Sequence, residues 1–205
     1  MAELTSDGRT PRKMADWTSV HYVVVDVEGN GQQPPDLVEL AVVPIVGGVI
    51  NEPMSWLVRP DTPITARARS IHGITNAQVA DLPVFADIEA DVIQALNDSA
   101  LIAHNAHVDI GVLRRKLGTW ECSEVFDTLK LTRRLRPEQG SCRLGSLVAD
   151  LSLAGGLSSD LKPHRATYDA LVTARLFMHI AAGRSLEELR DTSSGGGDDG
   201  ASSLF

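Results

Sequence analysis

The order of the apolar segments constrains the fold of this chain more than any other feature of its sequence. Three β-branched segments follow one another directly, at residues 21–27, 37–45 and 49–58, and Gly47 and Gly48 between the last two are a hairpin signal. Further on, helical patterns are predicted over 65–71, 76–81, 84–96, 108–117, 128–135, 144–151, 165–182 and 185–190, and strands over 100–103 and around residue 126. This order predicts an α/β fold with a mixed five-stranded sheet, in which an antiparallel meander is followed by parallel strands, flanked by helices.

The composition is typical of a soluble globular protein. The chain has 205 residues, of which 43% are hydrophobic and 22% charged, so it can bury a sizeable core. It lacks an apolar signal core and any apolar run near the roughly 18 residues of a membrane helix, and its two cysteines, Cys122 and Cys142, stand alone. We therefore expect a cytoplasmic protein. We predict a disordered leader over residues 1–18, a folded domain over 19–190 and a disordered acidic Gly/Ser tail over 191–205.

Charge is distributed unevenly along the chain. The formal net charge is −8, yet residues 110–145 carry eight Lys and Arg against four Asp and Glu. This pattern is compatible with a nucleic acid partner but does not establish one. Six arginines are candidate phosphate contacts, although solvated helix faces are the plainer explanation: Arg114, Arg115, Arg133, Arg134, Arg136 and Arg165.

Two carboxylates end the first strand, in the segment VVVDVEGNG at residues 23–31. Alternate residues of a strand share a face, so Asp26 and Glu28 converge while Val27 points away. Adjacent carboxylates repel each other unless a cation joins them, and an all-oxygen site favours Mg²⁺ or Mn²⁺. Gly29 and Gly31 permit a tight turn and the close approach of another chain. An ordinary turn that happens to carry acids is the plainer explanation of this segment when it is taken alone.

Two later segments add further candidates. In ALIAHNAHVDIG a short strand ends before His104 and Asn105, and Asp109 follows in the first turn of a helix, where the helix dipole alone would also favour an acid. In PHRATYDAL, Asp169 lies inside a helix and His164 lies five residues earlier, too far round to share its face. His164 is therefore placed on the loop before the helix. Histidine titrates near neutral pH, which suits a general base, but a solvated loop histidine is the plainer alternative.

Together these motifs resemble the DEDDh 3′–5′ exonucleases of the DnaQ-like superfamily. The three motifs are Asp26-Val27-Glu28, the segment from His104 to Asp109, and His164 with Asp169; the segment SIHGITNAQV at residues 70–79 is also similar. The resemblance covers about residues 20–182, nearly all of the predicted folded part. The sister branch places a tyrosine four residues before the last acid, where this chain has Arg165.

The resemblance implies a ribonuclease H-like fold and a site that holds two divalent cations, Mg²⁺ or Mn²⁺. Asp26 would bridge both ions, Glu28 and Asp169 would bind the ion that activates water, and Asp109 would hold the other ion, partly through water. His164 would take the proton of the attacking water. The two ions, about 3.5–4 Å apart, would stabilise an in-line displacement at the 3′ end of a single-stranded nucleic acid and release nucleoside 5′-monophosphates.

The resemblance also indicates which residues contact substrate, and this chain departs from the family at several of them. The predicted contacts are Val27, Gly29, Asn30, Gly31, His72, Asn105 and Val108. Relatives often have two threonines where this chain has Gly29 and Asn30, and many have phenylalanine where it has Val108, so stacking on the terminal bases should be weaker. For His72 and Asn105, core packing and turn formation are equally good explanations.

Several functional alternatives remain open at this point. The leading function is a 3′–5′ exonuclease in DNA proofreading or repair, or in RNA processing. An oligoribonuclease and a non-catalytic protein that binds nucleic acid ends are alternatives, but the latter would be expected to lack one of the five catalytic residues. An aspartyl-phosphate phosphatase would need Asp at position 28. The C-terminal Leu204 and Phe205 resemble the end of a motif that binds bacterial sliding clamps, so a clamp or polymerase is a further candidate partner, with an inert end as the alternative.

Overall fold

The computed structural model describes residues 16–191, and these form an α/β domain with one mixed sheet. The strands are β1 (Tyr22–Gly29), β2 (Leu37–Val46), β3 (Val49–Ile50), β4 (Met54–Leu57), β5 (Ala100–Ala103) and β6 (Val125–Asp127). The helices are a 3-10 turn (Trp17–Ser19), α1 (Ala66–His72), α2 (Asn76–Val79), α3 (Phe85–Leu96), α4 (His107–Leu117), α5 (Thr128–Leu135), α6 (Leu144–Asp150), α7 (Ala166–Ala181) and α8 (Leu186–Arg190). The predicted α/β architecture is confirmed.

The sheet has the order β3-β2-β1-β5-β6, and β4 also pairs with β2. The β1–β2, β2–β3 and β2–β4 pairs are antiparallel, whereas β1–β5 and β5–β6 are parallel, as the order of segments predicted. The sheet has six strands instead of five because the segment predicted as one strand over 49–58 forms two, β3 and β4. Pro53 lies between them and has no N–H with which to continue a ladder.

The two faces of β1 contact different cores. Tyr22 and Val24 pack with α7, around Phe177, in one hydrophobic cluster. Val23 and Val25 pack with α3 and α4 in a second cluster on the opposite face. This alternation is the period of two expected of a strand buried on both sides. It determines which face the later residues of β1 present.

The domain begins earlier than the predicted boundary at residue 19. Trp17 is only 8% exposed and packs edge-to-face on Phe177, at 5.9 Å between ring centroids. Its carbonyl accepts the hydroxyl hydrogen bond of Tyr22, and Asp16 forms a β-bridge with Ser185. The predicted leader therefore loses at least residues 16–18 to the fold. The remainder of the leader, residues 1–15, and the tail from residue 192 onward lie outside the described residues.

Candidate active site

β1 supplies the first two acids of the site at its carboxyl end. Asp26 and Glu28 continue the face of Tyr22 and Val24, which α7 covers, while Val27 packs against the second core. The ladder between β1 and β2 shifts register after Glu28, where β1 ends. The strand therefore presents both carboxylates beneath the start of α7, as its sequence predicted.

α7 brings the third acid onto the same point. Asp169 lies in its first turn, and single carboxylate oxygens of Asp26, Glu28 and Asp169 all lie within 4.8 Å of one another. The rest of α7 is held on the sheet by buried apolar residues, among them Leu176, Phe177 and Ile180. Packing of the helix thus fixes a carboxylate that is far from the first two in sequence.

Asp109 reaches the site from the first turn of α4. It is 5% exposed, and its Oδ1 accepts a hydrogen bond of 2.9 Å from the N–H of Val27, between the two acids of β1. It lies outside the group of three oxygens, so the structure places it beside that group. The turn before α4 is held by Asp127, whose carboxylate oxygens accept from the N–H groups of Asn105 and Ala106 at 3.0 and 3.1 Å.

His164 lies on the loop before α7, as predicted. It is exposed, and its backbone adopts the left-handed region with φ of 61°. Its N–H donates to Oδ2 of Asp169 at 3.0 Å, which ties the histidine to the carboxylate five residues later. The backbone of the loop histidine is therefore anchored to the helical acid.

The acids destabilise one another's charged forms. Burial, and next to it the Asp109 carboxylate, raises the pKa of Asp26 well above its ordinary value. Burial and the Asp169 charge raise the pKa of Glu28 to about 8. Burial raises the pKa of Asp109 to about 7, against the backbone hydrogen bonds that lower it, and raises that of Asp169 to about 6. A bound cation would offset both the mutual repulsion of these carboxylates and the cost of burying their charges.

The donor set fits a divalent cation. Asp26, Glu28 and Asp169 offer three convergent carboxylate oxygens and no sulfur or imidazole ligand, the donors preferred by Mg²⁺ and Mn²⁺ over zinc. This group of acids is therefore the candidate metal site.

The structure corrects one of the predicted substrate contacts, that of the Asn30 side chain. Asn30 is fully buried, and its side chain bonds inside the protein, donating to Thr62 and accepting from the N–H groups of Gln32 and Asp36. Its role is to order the loop between β1 and β2, so its side chain cannot meet substrate. Val27 donates its N–H to Asp109 and packs its half-buried side chain against the second core, and its contact with substrate stays a prediction.

The other predicted contacts remain predictions, and the structure gives the local geometry of several of them. Gly31 has φ of 78° and packs closely on α1. Asn105 has φ of 68° in the turn before α4, and Val108 is half-buried in the first turn of that helix. His72 is 5% exposed; its Nδ1 accepts from the N–H of Ile74, whereas its Nε2 is buried with no hydrogen-bond partner among the described residues.

Sequence reasoning missed two acids that support the site, Asp127 and Glu39. Glu39 is 5% exposed in β2 and forms an ion pair with Arg165. A charged residue inside the apolar run LVELAVV was the signal available, but its partner lies 126 residues away. Of the six arginines proposed for phosphate, four have partners inside the protein: Arg115, Arg134, Arg136 and Arg165.

Comparison with known proteins agrees with this geometry. Residues 23–177 match the family model described as RNase_T, Exonuclease. Exodeoxyribonuclease 10 of Escherichia coli strain K12 is 37% identical over 170 residues, covering 82% of this chain and 73% of that protein. The 3′-5′ exonuclease DinG of Bacillus subtilis strain 168 is 33% identical over 177 residues, covering 82% of this chain but 18% of that protein.

Solved structures give the same result. Exonuclease X in complex with 5′ overhanging duplex DNA superimposes with a TM-score of 0.68 and 36% identity, covering 82% of this chain and 96% of that one. Escherichia coli exonuclease I in complex with a dT13 oligonucleotide superimposes with a TM-score of 0.66 at 18% identity, which shows a shared fold. These matches confirm the resemblance that the three motifs predicted. The chain belongs to the exonuclease family, as a DnaQ-like 3′–5′ exonuclease with a ribonuclease H-like fold.

Proposed function

We propose that this enzyme removes nucleoside 5′-monophosphates from the 3′ ends of DNA, with Mg²⁺ or Mn²⁺ as its cofactor. The observation that carries the proposal is the convergence of Asp26, Glu28 and Asp169 within 4.8 Å, with Asp109 and His164 beside them. This arrangement supports the assignment of all five residues to one site. This argues against a non-catalytic protein that only binds nucleic acid ends.

The chemistry is hydrolysis of the terminal phosphodiester. Two cations held by the four acids, with Asp109 on the second, would supply electrostatic stabilisation of the charge that develops on the scissile phosphate. His164 is exposed on its loop and takes a proton from the water that attacks phosphorus. The bond from phosphorus to the 3′ oxygen breaks, and that oxygen takes a proton from solvent.

DNA is favoured over RNA by the relatives. The name of the 37% identical protein describes an exodeoxyribonuclease, and the structure at 36% identity was solved with duplex DNA carrying a 5′ overhang. A 5′ overhang leaves a recessed 3′ end, so we propose that this enzyme also accepts such ends. Trimming of short RNA is the second candidate, and it rests on the resemblance alone.

The test offers labelled single-stranded DNA, 5′-overhanging duplex DNA, RNA of the same sequence and a dinucleotide, each with Mg²⁺ or Mn²⁺. We expect stepwise 3′ shortening of both DNA substrates. Asp26→Asn should abolish it, and His164→Ala should lower kcat by roughly 100- to 10,000-fold, the range typical of a general base. Asp81→Asn and His21→Ala make matched changes at exposed positions and should leave activity intact.

Either of two results would overturn the proposal. Full activity in Asp26→Asn would place the chemistry elsewhere, and a preference for the RNA or the dinucleotide would replace DNA repair or proofreading by RNA processing.

Among residues 16–191 there is no helix long and apolar enough to cross a membrane. A location in the cytoplasm remains a proposal. So does clamp binding through Leu204 and Phe205, which a peptide of residues 197–205 and a purified clamp would test.

A further inference from the structure

A fifth acid, Glu39, lies next to the four that define the site. It is the direct partner of Glu28 in the β1–β2 ladder, and its charge contributes to raising the pKa values of Asp26, Glu28 and Asp169. A carboxylate in this place would be a natural further metal ligand. It nevertheless lies outside the group of convergent oxygens. Its hydrogen bonds explain why.

Both oxygens of Glu39 are already used within the protein. Oε1 accepts from Nη2 of Arg165 at 2.6 Å, and Oε2 accepts from Nε of Arg165 at 2.9 Å and from the N–H of Ala166 at 3.0 Å. The two bonds to the guanidinium form a bidentate pair, which fixes direction as well as distance. Glu39 is thus saturated by donors from a single short stretch of chain.

That stretch is the beginning of α7. Arg165 is the N-cap residue of the helix, and its own side chain makes no capping hydrogen bond. Helix starts are usually capped by a side chain at that position, so Glu39 supplies from β2 what residue 165 does not. The first turn of α7 is therefore attached to β2, the neighbour of β1, and β1 carries Asp26 and Glu28.

His164 lies immediately before this attachment. Its left-handed backbone, with φ of 61°, is unfavourable for a residue with a Cβ and persists only where its surroundings hold it. On one side its N–H is bonded to Asp169, and on the other the next residue is fixed to Glu39. Without the second tie, the peptide between His164 and Arg165 could relax and turn the imidazole away from the acids.

We propose that the ion pair of Glu39 and Arg165 positions His164 for proton transfer, and that Glu39 is a positioning residue and not a metal ligand. The inference rests on the proposed function of His164 as the base. It assigns a role to an acid beside the site that the three motifs do not include. It also explains an arginine next to the catalytic histidine without invoking a phosphate contact.

The first test compares kcat and KM of Glu39→Gln and Arg165→Lys on single-stranded DNA. Arg165→Lys keeps the positive charge but loses the bidentate hydrogen bonds to Glu39, so it distinguishes an effect of geometry from an effect of charge. It also keeps the proposal testable if Glu39→Gln does not fold. Both variants should lower kcat by roughly five- to thirtyfold, because the strain of one residue in the left-handed region, released when the tie is lost, corresponds to a factor of that size. KM for DNA should stay within about twofold, because binding is not touched.

A matched control is available in the same chain. Glu124 and Arg190 form another bidentate pair, with both distances 2.7 Å, away from the acids of the site. Glu124→Gln makes the same chemical change and should leave kcat unaltered. A fall of kcat in this control equal to that in Glu39→Gln would show a general effect of stability and would overturn the proposal.

The decisive measurement is a double-mutant cycle with His164→Ala. If Glu39 acts through His164, then Glu39→Gln should change the residual rate of the His164→Ala enzyme by less than about twofold. Multiplication of the two losses would overturn the proposal, and so would a rise of KM with unchanged kcat, which would make Arg165 a substrate contact. Failure of the proposed function is distinguishable, because it would appear as an inactive wild-type enzyme.

Discussion

The crowding of the acids predicts that Glu28→Gln stabilises the metal-free protein while it inactivates the enzyme. Glu28 has an ordinary pKa of 4.5 in an unfolded chain, and burial with the Asp169 charge raises it to about 8 in the fold. The folded protein therefore binds a proton that the unfolded chain releases between these values. Its stability must fall as the pH rises through that window.

The magnitude follows from the shift. Each pKa unit corresponds to about 1.4 kcal/mol, so by pH 7 the titration of Glu28 costs at most about 3 kcal/mol. The neighbouring acids ionise more readily once the charge is gone, so a net gain of about 1–3 kcal/mol is expected for Glu28→Gln. For a domain of this size that gain raises Tm by roughly 2–10 °C.

The assay is thermal unfolding in a chelator at pH 4 and at pH 7.5, followed by circular dichroism. Glu28→Gln should unfold at a higher temperature than wild type at pH 7.5 and at the same temperature at pH 4, where the acid is protonated in both states. Glu52→Gln, at an exposed acid, should shift neither value. Added Mn²⁺ should stabilise wild type more than the variant. A Tm of Glu28→Gln at or below the wild-type value at pH 7.5 would refute the argument.

Three further changes test parts of the fold around the site. Gly31→Ala should cost roughly 1–3 kcal/mol and raise KM, because the new Cβ would lie 2.3 Å from Oγ1 of Thr65 at a backbone φ of 78°; denaturant unfolding and initial rates measure both effects. Asn30→Ala should cost about 1–3 kcal/mol by leaving the N–H of Asp36 without its acceptor, whereas an unchanged midpoint would mean that the loop is ordered by other contacts. Trp17→Ala should lower the free energy of unfolding by about 3–5 kcal/mol, measured by chemical denaturation, and leave kcat of the folded enzyme unchanged. A free energy of unfolding equal to that of wild type would mean that Trp17 is not part of the folded domain.

The fold and the acids of the site can be predicted from the sequence because both depend on local patterns. The alternation in β1 determines the side on which Asp26 and Glu28 emerge, and the phase between His164 and Asp169 determines that one is on the loop and the other on the helix. The break between β3 and β4 was missed because apolar residues continue on both sides of Pro53. A local apolar pattern predicts the bounds of a strand only when no residue inside the pattern interrupts the backbone hydrogen bonds.

Contacts between distant parts of the chain could not be predicted in this way. Asn30 was assigned to substrate from its place in a motif, yet its partner Thr62 lies 32 residues away and turns it inward. Glu39 is indicated only by its charge in an apolar strand, and for Arg165 the sequence offers a phosphate contact or a solvated helix face. In each case the polar side chain is used by the tertiary structure, and its partner depends on how loops and helices pack against the sheet.

The order in which the acids occur along the chain has a consequence for synthesis. Asp26 and Glu28 leave the ribosome early, but His164 and Asp169 come near the end of the domain, on the loop before α7 and in the first turn of that helix, which docks on β1 and β2. A nascent chain that ends before His164 has only part of the proposed metal-binding oxygens and lacks the proposed base. On the proposed assignment of the site, nuclease activity therefore requires that α7 has been synthesised and has docked on the sheet, so shorter nascent chains are inactive.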